Sequence, residues 1–353
     1  MLAIVCHELT GPAALRLDEV PEPRPGPGQV RIRVRACGVN FADGLITRGQ
    51  YQRQPQPPFS PGFEVSGDVL ELGTGVKRFV IGQRVIAMTP YGGYAEQLVV
   101  AAIGCVPMPE AMSWEDGAAF PVVFGTSHVA LCHRARLRAG ETLVVHGASG
   151  GVGLTAVAIG KQLGATVIAT ANGPGKLEIA RQHGADHLID SGQEDVRLRI
   201  KELTDGRGAN VVYDPVGGEL FTASLRSIAF EGRILLIGFA SGSVPQIPAN
   251  HLLVKNVDVI GLNWPAYAEL HPRLMTESFR TLIQWHLSGA IKPHISASYP
   301  LEDAVEALNQ VVSRKSTGKV VTMRRNREPD RFLQLDVSLL FTPALSVMPA
   351  ARG

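Results

Sequence analysis

The sequence predicts an α/β protein in which a doubly wound parallel sheet is inserted into a β-rich domain. A glycine-rich turn at 147–153 joins a β-prone run to an amphipathic segment. Short apolar runs then alternate with amphipathic segments as far as residue 261, which is typical of a parallel sheet covered by helices on both faces. Residues 1–125 instead contain short alternating runs separated by Gly and Pro, which indicates antiparallel strands.

The turn, Gly147-Ala-Ser-Gly-Gly-Val-Gly153, is typical of a Rossmann-type dinucleotide-binding unit. The run Thr142–His146 enters it, and apolar residues at helical spacing follow it. Gly150 lets the backbone approach a pyrophosphate, Gly153 lets helix and strand pack closely, and the helix N-terminus faces the phosphate charge. The strict spacing G-x-G-x-x-G is broken at its first position, which is Ala148. Glycines that serve packing alone are the alternative interpretation.

The end of the second strand, 166–170, predicts the choice of cofactor. Folds of this kind that prefer NAD usually carry Asp or Glu there, to bond the ribose 2′-hydroxyl. This chain has an uncharged segment, 170–175, which contains Asn172 and is followed directly by Lys176. An amide with a nearby cation accepts a 2′-phosphate, whereas a carboxylate repels it. We therefore expect NADPH; a solvated loop with a surface lysine is the alternative.

The strand–helix unit repeats along the chain. We expect helices at 176–183, 195–204 and 219–227, and strands at 187–189, 209–213, 232–237 and 257–261. Ligands of such sheets bind beyond the carboxyl ends of the strands. The segments 214–218 and 238–241 lie at those ends, so we expect Gly238 and Phe239 at the cofactor cleft. Turn formation alone also explains the glycines of both segments.

The last predicted strand, 257–262, is expected at the edge of the parallel sheet. An apolar strand that is unpaired on one side invites pairing with another chain. Its two-fold copy could pair with it antiparallel, which predicts a homodimer. In the competing interpretation, the tail after Arg324 covers this edge and the chain stays monomeric.

The β-rich domain is expected to draw on both ends of the chain. Strands are predicted at 30–36, 64–72 and 83–88. After the parallel sheet, the chain is predicted to return to this domain through amphipathic helices at 275–288 and 301–314 and a closing strand at 319–323. The expected division is a β-rich catalytic domain from 1–125 and 265–325, a nucleotide-binding domain from 126–264, and a tail from 326–353. We interpret the tail as an extension without function rather than a binding segment.

Composition and charge exclude several classes of protein. A chain of 353 residues is long enough for two domains that each bury a core. The formal net charge is only +2, which argues against a nucleic-acid-binding surface. The N-terminus lacks the pattern of a signal peptide, and no apolar stretch is long enough to cross a bilayer. The four cysteines lie far apart without C-x-x-C spacing, as expected of reduced thiols in a cytoplasmic protein.

Four motifs in one order carry a family resemblance: Cys37-Gly-Val-Asn-Phe-Ala-Asp43, Pro61-Gly-Phe-Glu-Val-Ser-Gly67, the glycine-rich turn, and Thr317-Gly-Lys-Val-Val321. Residues 1–325 resemble zinc-independent quinone oxidoreductases of the zeta-crystallin type, in the medium-chain dehydrogenase/reductase superfamily. The resemblance implies that the β-rich domain is a GroES-like, partly closed barrel. The sequence departs from the family near Ser191, where many relatives have Tyr.

The resemblance implies that the protein needs no metal. Zinc-dependent alcohol dehydrogenases of this superfamily place a Cys ligand where this chain has Asn40, and a His ligand where it has Phe63. Zinc prefers thiolate, imidazole or carboxylate ligands, and neither side chain offers one. The region after Val85, which corresponds to the structural zinc lobe, contains only Cys105. We therefore expect no bound metal.

Without a metal, the expected substrates are those that accept hydride readily, such as quinones and conjugated enones. The resemblance implies that Asn40 donates a hydrogen bond near the nicotinamide and the substrate. It places Tyr51 at the substrate cleft, where the hydroxyl could bond the substrate oxygen or relay a proton. An equally supported interpretation makes Tyr51 an anchor of its loop. Asp43 is expected to hold the loop rather than perform chemistry.

The residue patterns and the resemblance together predict a set of cofactor contacts: Asn40, Thr126, Ser149, Gly150, Gly151, Val152, Gly153, Asn172, Lys176, Gly238, Phe239, Asn263 and Lys319. The predicted function is an NADPH-dependent, metal-free oxidoreductase of quinones or related α,β-unsaturated carbonyl compounds. Two alternatives stay open: an enoyl reductase that acts on acyl thioesters, and a non-catalytic NADPH-binding or RNA-binding protein. Hydride transfer and single-electron transfer to the acceptor are both open.

Overall fold

The computed structural model describes residues 1–324. Its strands are β1 Leu2–Cys6, β2 Leu15–Glu19, β3 Gln29–Val39, β4 Glu64–Leu72, β5 Arg84–Met88, β6 Gln97–Ala101, β7 Cys105–Pro107, β8 Thr142–Val145, β9 Thr166–Ala171, β10 His187–Asp190, β11 Ala209–Asp214, β12 Ile228–Leu236, β13 Asp258–Gly261, β14 Ile295–Pro300 and β15 Lys319–Met323. Its α-helices are α1 Phe41–Ile46, α2 Trp114–Ala118, α3 Pro121–His128, α4 Gly151–Gln162, α5 Pro174–Gln182, α6 Val196–Leu203, α7 Gly218–Ser227, α8 Ala249–Lys255, α9 Trp264–Leu270, α10 Pro272–Leu287 and α11 Ala304–Val312.

Six strands form the predicted parallel sheet. They lie in the order β10, β9, β8, β11, β12, β13, and every neighbouring pair is parallel. In β8, Leu143 and Val145 belong to the core on one face and Val144 to the core on the other, and all three are buried. A strand that is apolar on both faces needs helices on both sides, as predicted. The strand order reverses between β8 and β11, so the ligand crevice of this sheet opens beyond their carboxyl ends.

A second large sheet joins the two ends of the chain. Its order is β14, β15, β3, β4, β5, β7, and β6 pairs with β3. β15 is antiparallel to β3, with Val320 opposite Val39, whereas β14 is parallel to β15. The chain therefore returns to its first sheet after the parallel sheet is complete, as the closing strand predicted.

The helices between residues 248 and 271 were not predicted. α8 buries none of its residues, so the sequence carries no apolar periodicity there. α9 spans seven residues and buries only Trp264. The predicted helix at 301–314 is shorter than expected, because its first turn, Leu301–Asp303, is a 3-10 turn and α11 ends at Val312. No helix within residues 1–324 has the length and apolar character needed to cross a membrane.

α3 and α10 pack together through a half-buried histidine. His128 Nδ1 lies 2.9 Å from Ser278 Oγ, and its ring centroid lies 5.5 Å from that of Trp285. Burial lowers the pKa of His128 to about 4. The neutral imidazole is therefore the form that suits the folded chain.

This contact should make the folded chain sensitive to acid. The pKa of His128 is lower in the folded chain than in the unfolded chain, so the unfolded chain binds the proton first as the pH falls. The free energy of unfolding is therefore highest above about pH 6.5 and decreases as the pH falls towards 4. His128→Gln has no proton to gain. Between pH 7 and about pH 5, the unchanged chain should lose on the order of 1 to 2 kcal/mol more stability than the variant. Equal acid sensitivity in thermal unfolding of the two proteins would contradict this role.

Candidate active site

The glycine-rich turn lies between β8 and α4, at the point where the order of the parallel strands reverses. A Cβ on Gly153 would collide with Gly147 O and lie 2.8 Å from Ala148 Cα, so close packing requires this glycine. A Cβ on Gly150 would meet nothing nearer than 3.4 Å, so its surroundings are open. The first N–H groups of α4, which begins at Gly151, have no partner within the helix. The turn therefore provides the cradle that a pyrophosphate needs.

The second sheet is docked onto this turn. Gly318 N, just before β15, donates to Ser149 O at 2.7 Å. Gly318 has a φ of 55°, and a Cβ there would collide with His294 O. A Cβ on Gly151 would lie 3.3 Å from Lys319 Cδ. The segment that leads into β15 thus forms one wall of the cleft beside the turn.

Behind this wall lies a buried polar network of Asn40, Glu64 and Lys319. Glu64 Oε1 accepts from Asn40 Nδ2 at 2.8 Å and from Lys319 Nζ at 2.7 Å. The Lys319 ammonium also donates to Asn40 Oδ1 at 2.7 Å and to Val39 O at 2.8 Å. The relative exposures of the three residues are 7%, 0% and 4%. Two buried charges are thus paired and hydrogen-bonded, as a buried ion pair requires.

This network engages the hydrogen-bond donors of two residues that are expected at the cleft, Asn40 and Lys319. Asn40 Nδ2 also donates to Gly38 O at 3.2 Å, so both amide hydrogens are used within the protein. The three ammonium hydrogens of Lys319 are likewise used. In this arrangement the donors of both side chains are engaged within the protein, and the contacts expected of Asn40 and Lys319 with substrate and cofactor stay predictions. The contacts instead connect the two residues to each other.

Asp43 holds the loops around this network, as predicted. Its Oδ2 accepts from Asn40 N at 2.7 Å and from Tyr94 Oη at 2.9 Å. Its Oδ1 accepts from Gly62 N at 3.1 Å. Burial raises the pKa of the Asp43 carboxyl to about 7, although the hydrogen bonds oppose the shift. The carboxyl is fully buried, so its contacts are structural.

Tyr51 lies against Phe63, with 5.2 Å between the ring centroids. Both rings are half-buried and pack against the core of the second sheet. Burial first, and then the negative charge of Asp43, raise the pKa of Tyr51. The phenol therefore stays protonated at neutral pH and can donate a hydrogen bond.

The predicted 2′-phosphate segment lies at the start of α5. Asn172 is exposed, and Lys176 Nζ donates to Arg314 O at 2.8 Å. The Arg314 guanidinium in turn bonds Ala240 O. Sequence reasoning did not identify Arg314, because it lies 138 residues after Lys176 and follows α11 rather than a strand.

Sequence reasoning also missed a carboxylate beside this segment. Asp190, at the end of β10, accepts from Gly173 N at 3.2 Å and from Gly192 N at 2.9 Å through Oδ1. The segment 170–175 is neutral, but the neighbouring strand brings an acid to it. Adjacency of parallel strands in space, rather than spacing along the chain, is the signal that could have identified it.

The structure places the other predicted residues around the carboxyl edge of the parallel sheet. Gly238 and Phe239 follow β12, and Asn263 precedes α9 just after β13. Backbone bonds from Ala240 N to Pro215 O and from Ser241 N to Val216 O join the loops after β12 and β11. Thr126 is buried in α3, the helix that packs against α4. The loops after β11, β12 and β13 therefore lie at the carboxyl edge, where ligands of such sheets bind.

Comparisons with known proteins agree with this architecture. The family model described as an alcohol dehydrogenase GroES-like domain matches residues 26–110, and the one described as a zinc-binding dehydrogenase matches residues 151–286. Quinone oxidoreductase-like protein 2 of Rattus norvegicus is 42% identical over 320 residues, which cover 90% of this chain and 91% of that protein. The chain belongs to the quinone oxidoreductase family.

Solved structures of quinone oxidoreductases share the fold. Escherichia coli quinone oxidoreductase, crystallised in complex with NADPH, has a TM-score of 0.86 at 30% identity, over 92% of this chain and 100% of that one. The Pseudomonas syringae pv. tomato enzyme has a TM-score of 0.86 at 33% identity, with the same coverage. This family lies in the medium-chain dehydrogenase/reductase superfamily. The expected fold class and an oxidoreductase activity are thereby confirmed.

Membership of this family does not bring a set of zinc ligands to the cleft. Asn40 bonds Lys319 and Glu64, and Phe63 packs on Tyr51. Within residues 1–324, no group of three or more His, Cys, Asp or Glu side chains could hold a metal ion. A metal-free reaction stays a prediction that chemical analysis must test.

Two glycines of the turn, Gly150 and Gly153, should respond differently to substitution. Gly153→Ala forces a Cβ onto Gly147 O, and we expect a loss of about 1 to 3 kcal/mol in the free energy of unfolding. Gly150→Ala is the matched control, because its Cβ would make only an ordinary van der Waals contact, 3.4 Å from Gly147 O, and its φ of −81° suits alanine. Chemical denaturation measures both variants. Equal losses would contradict the distinction drawn between a packing glycine and an open one.

Proposed function

We propose that the protein is an NADPH-dependent, metal-free oxidoreductase that reduces quinones or related α,β-unsaturated carbonyl compounds. The observation that carries this proposal is the open glycine cradle at the start of α4, held against the wall that leads into β15. The crystallised complex of the E. coli relative with NADPH supports the choice of cofactor. The relatives named quinone oxidoreductase support the class of acceptor.

The residues of the cleft fit a dinucleotide. Backbone groups of Ser149–Gly153 would hold the pyrophosphate, since the turn is open at Gly150 and ends at a helix N-terminus. Thr126, Gly238, Phe239 and Asn263 would contact the nicotinamide end. NADPH supplies the hydride when bound, whereas the protein orients it and excludes water.

Two cations would hold the 2′-phosphate beside Asn172. Lys176 and Arg314 bond carbonyl oxygens here, and a phosphate is the stronger acceptor for both. Asp190 opposes a 2′-phosphate by its charge, but its Oδ1 is engaged with two backbone N–H groups. We therefore propose a preference for NADPH that is limited by Asp190.

On the acceptor side, Tyr51 and Phe63 form an aromatic wall that suits a planar quinone or enone. The protonated Tyr51 hydroxyl would donate to the substrate oxygen, where charge develops during reduction. Asn40 and Lys319 do not contact the substrate in this proposal; they hold the loop that carries Tyr51. No step in the scheme requires a metal ion.

NADPH oxidation with a panel of acceptors tests the function. We expect the highest kcat/KM with quinones, lower values with enones, and the lowest with enoyl thioesters. A preference for enoyl thioesters would support the enoyl reductase instead. NADPH binding without oxidation by any acceptor would support a non-catalytic protein.

The choice of cofactor should depend on Lys176. We expect NADPH to bind at least about tenfold more tightly than NADH, which is about 1.4 kcal/mol, and Lys176→Glu to remove most of that preference. Lys201→Glu is a matched control, because Lys201 is also a half-buried helix lysine that bonds a backbone carbonyl, Gly206 O. Fluorescence titration gives the dissociation constants. Equal constants for both cofactors in the unchanged chain would disprove the preference.

Turnover separates the two interpretations of Tyr51. If the hydroxyl donates to the substrate, Tyr51→Phe should lower kcat on the order of 10²-fold, while the ring contact with Phe63 preserves the fold. Tyr299→Phe, at another half-buried tyrosine of the same core, should leave kcat unchanged. Unchanged turnover in Tyr51→Phe would assign Tyr51 to anchoring its loop.

We also propose a homodimer built on β13. This strand lies at the edge of the parallel sheet and pairs only with β12 among residues 1–324. Light scattering at micromolar concentration should give twice the chain mass, and removal of residues 325–353 should not change it. The tail that could cover β13 lies outside the described residues. A monomeric full chain that dimerises only after this removal would instead support a covering tail.

A further inference from the structure

We propose that Glu64 is a positioning residue that couples the cofactor turn to the loop carrying Tyr51. The inference rests on the proposed function, because it concerns how the cofactor side and the acceptor side of that cleft are held at a fixed position relative to each other. Glu64 itself is 0% exposed and contacts neither reactant. Its role is to hold the groups that do.

The Glu64 carboxylate joins three separate segments of the chain. Its Oε1 accepts from Asn40 Nδ2 at 2.8 Å and from Lys319 Nζ at 2.7 Å. Its Oε2 accepts from Val122 N at 2.8 Å. Asn40 precedes α1, Val122 lies in the first turn of α3, and Lys319 begins β15. These three segments have no other common partner among the hydrogen bonds of the network.

Each segment leads directly to one side of the cleft. Beyond Asn40, α1 runs into the loop that holds Tyr51 against Phe63. Next to Lys319, Gly318 N bonds Ser149 O in the glycine-rich turn. One carboxylate therefore connects the acceptor wall with the phosphate cradle.

The third segment connects Glu64 to the helix beside the cradle. α3 continues from Val122 to the buried Thr126, which is proposed to meet the nicotinamide end. Thr155 Oγ1, in α4, donates to Val123 O at 3.0 Å. A shift of α3 would therefore be transmitted to the helix that begins at the cradle.

The site requires a carboxylate. Three donors point at its two oxygens, and an amide offers only one acceptor oxygen. In Glu64→Gln the amide NH₂ must face either Val122 N–H or the Asn40 and Lys319 donors. Glu64 is 0% exposed, so water cannot replace a lost hydrogen-bond partner. At least one of the three segments must therefore lose its connection.

Loss of this connection should change the rate more than the binding of either reactant. The proposed contacts to NADPH and the aromatic wall remain in Glu64→Gln, but their relative placement loosens. A misplacement of about 1 Å can cost on the order of 10²-fold in rate. We expect kcat per folded molecule to fall about 100-fold, with the NADPH dissociation constant and the KM for quinone changed less than about threefold.

Hydrogen exchange of backbone amides provides a readout that does not depend on activity. In Glu64→Gln, exchange should accelerate at Val122, at Asn40, whose N–H bonds Asp43, and at Gly318, whose N–H bonds Ser149. Glu141→Gln is the matched control, because Glu141 also pairs with a cation, Arg233, and lies directly before β8, at the amino edge of the parallel sheet and away from the cleft. It should leave these three amides and kcat unchanged. Asn40→Ala removes the bonds of this amide to Glu64, Lys319 and Gly38 but retains the Glu64–Lys319 pair, so it decides the question if Glu64→Gln does not fold.

The outcomes separate this inference from the proposed function. If the unchanged chain oxidises NADPH with none of the acceptors, the proposed function fails, and amide exchange alone decides the role of Glu64. Wild-type exchange at all three amides in Glu64→Gln would overturn the inference. So would a kcat within about threefold of the unchanged chain, or an equal loss of kcat in Glu141→Gln.

Discussion

The buried ion pair of Glu64 and Lys319 is the contact on which the cleft depends. Its partners lie 255 residues apart, on the second sheet's strand β4 and on the strand that returns to that sheet after the parallel sheet. Removing one partner of a buried pair commonly costs about 3 to 5 kcal/mol, because the other charge is left without compensation. Here the pair is also hydrogen-bonded to Val39 O, Asn40 and Val122 N, so its charges are well satisfied. The pair thereby joins the segment of the chain that precedes the inserted parallel sheet to the segment that follows it.

The glycines of the turn show how this closure reaches the cofactor cradle. Gly153 is required because α4 packs directly on the turn, whereas a Cβ on Gly150 would meet nothing nearer than 3.4 Å. Gly318 adopts a positive φ and brings its N–H to Ser149 O, directly before the lysine of the ion pair. Gly318, which bonds the cradle, and Lys319, which belongs to the ion pair, are thus consecutive along the chain. The segment 318–319 therefore connects the ion pair to the cradle.

Much of the fold could be predicted because its signals are local. The apolar strand 142–145, the glycine turn and the helix after it lie within one short segment, and their pattern is distinct. The saturated hydrogen bonding of Asn40 and Lys319 could not be predicted, because it depends on pairings up to 280 residues apart. Asp190 and Arg314 were not predicted for the same reason, since each reaches the phosphate segment from a neighbouring element. Helix α8 was not predicted because it buries no residue, and apolar periodicity in a sequence indicates only helices that have a buried face.

The central claim is that this chain's own residues, rather than a metal ion, suffice for NADPH-dependent reduction of a quinone. The most direct measurement combines elemental analysis with the rate of NADPH oxidation by a quinone on one sample, before and after treatment with a strong chelator. We predict far less than one zinc per chain and an unchanged kcat after chelation, because Asn40 and Phe63 are engaged with protein partners. One tightly bound zinc per chain, with activity lost on its removal and restored on its return, would contradict the account.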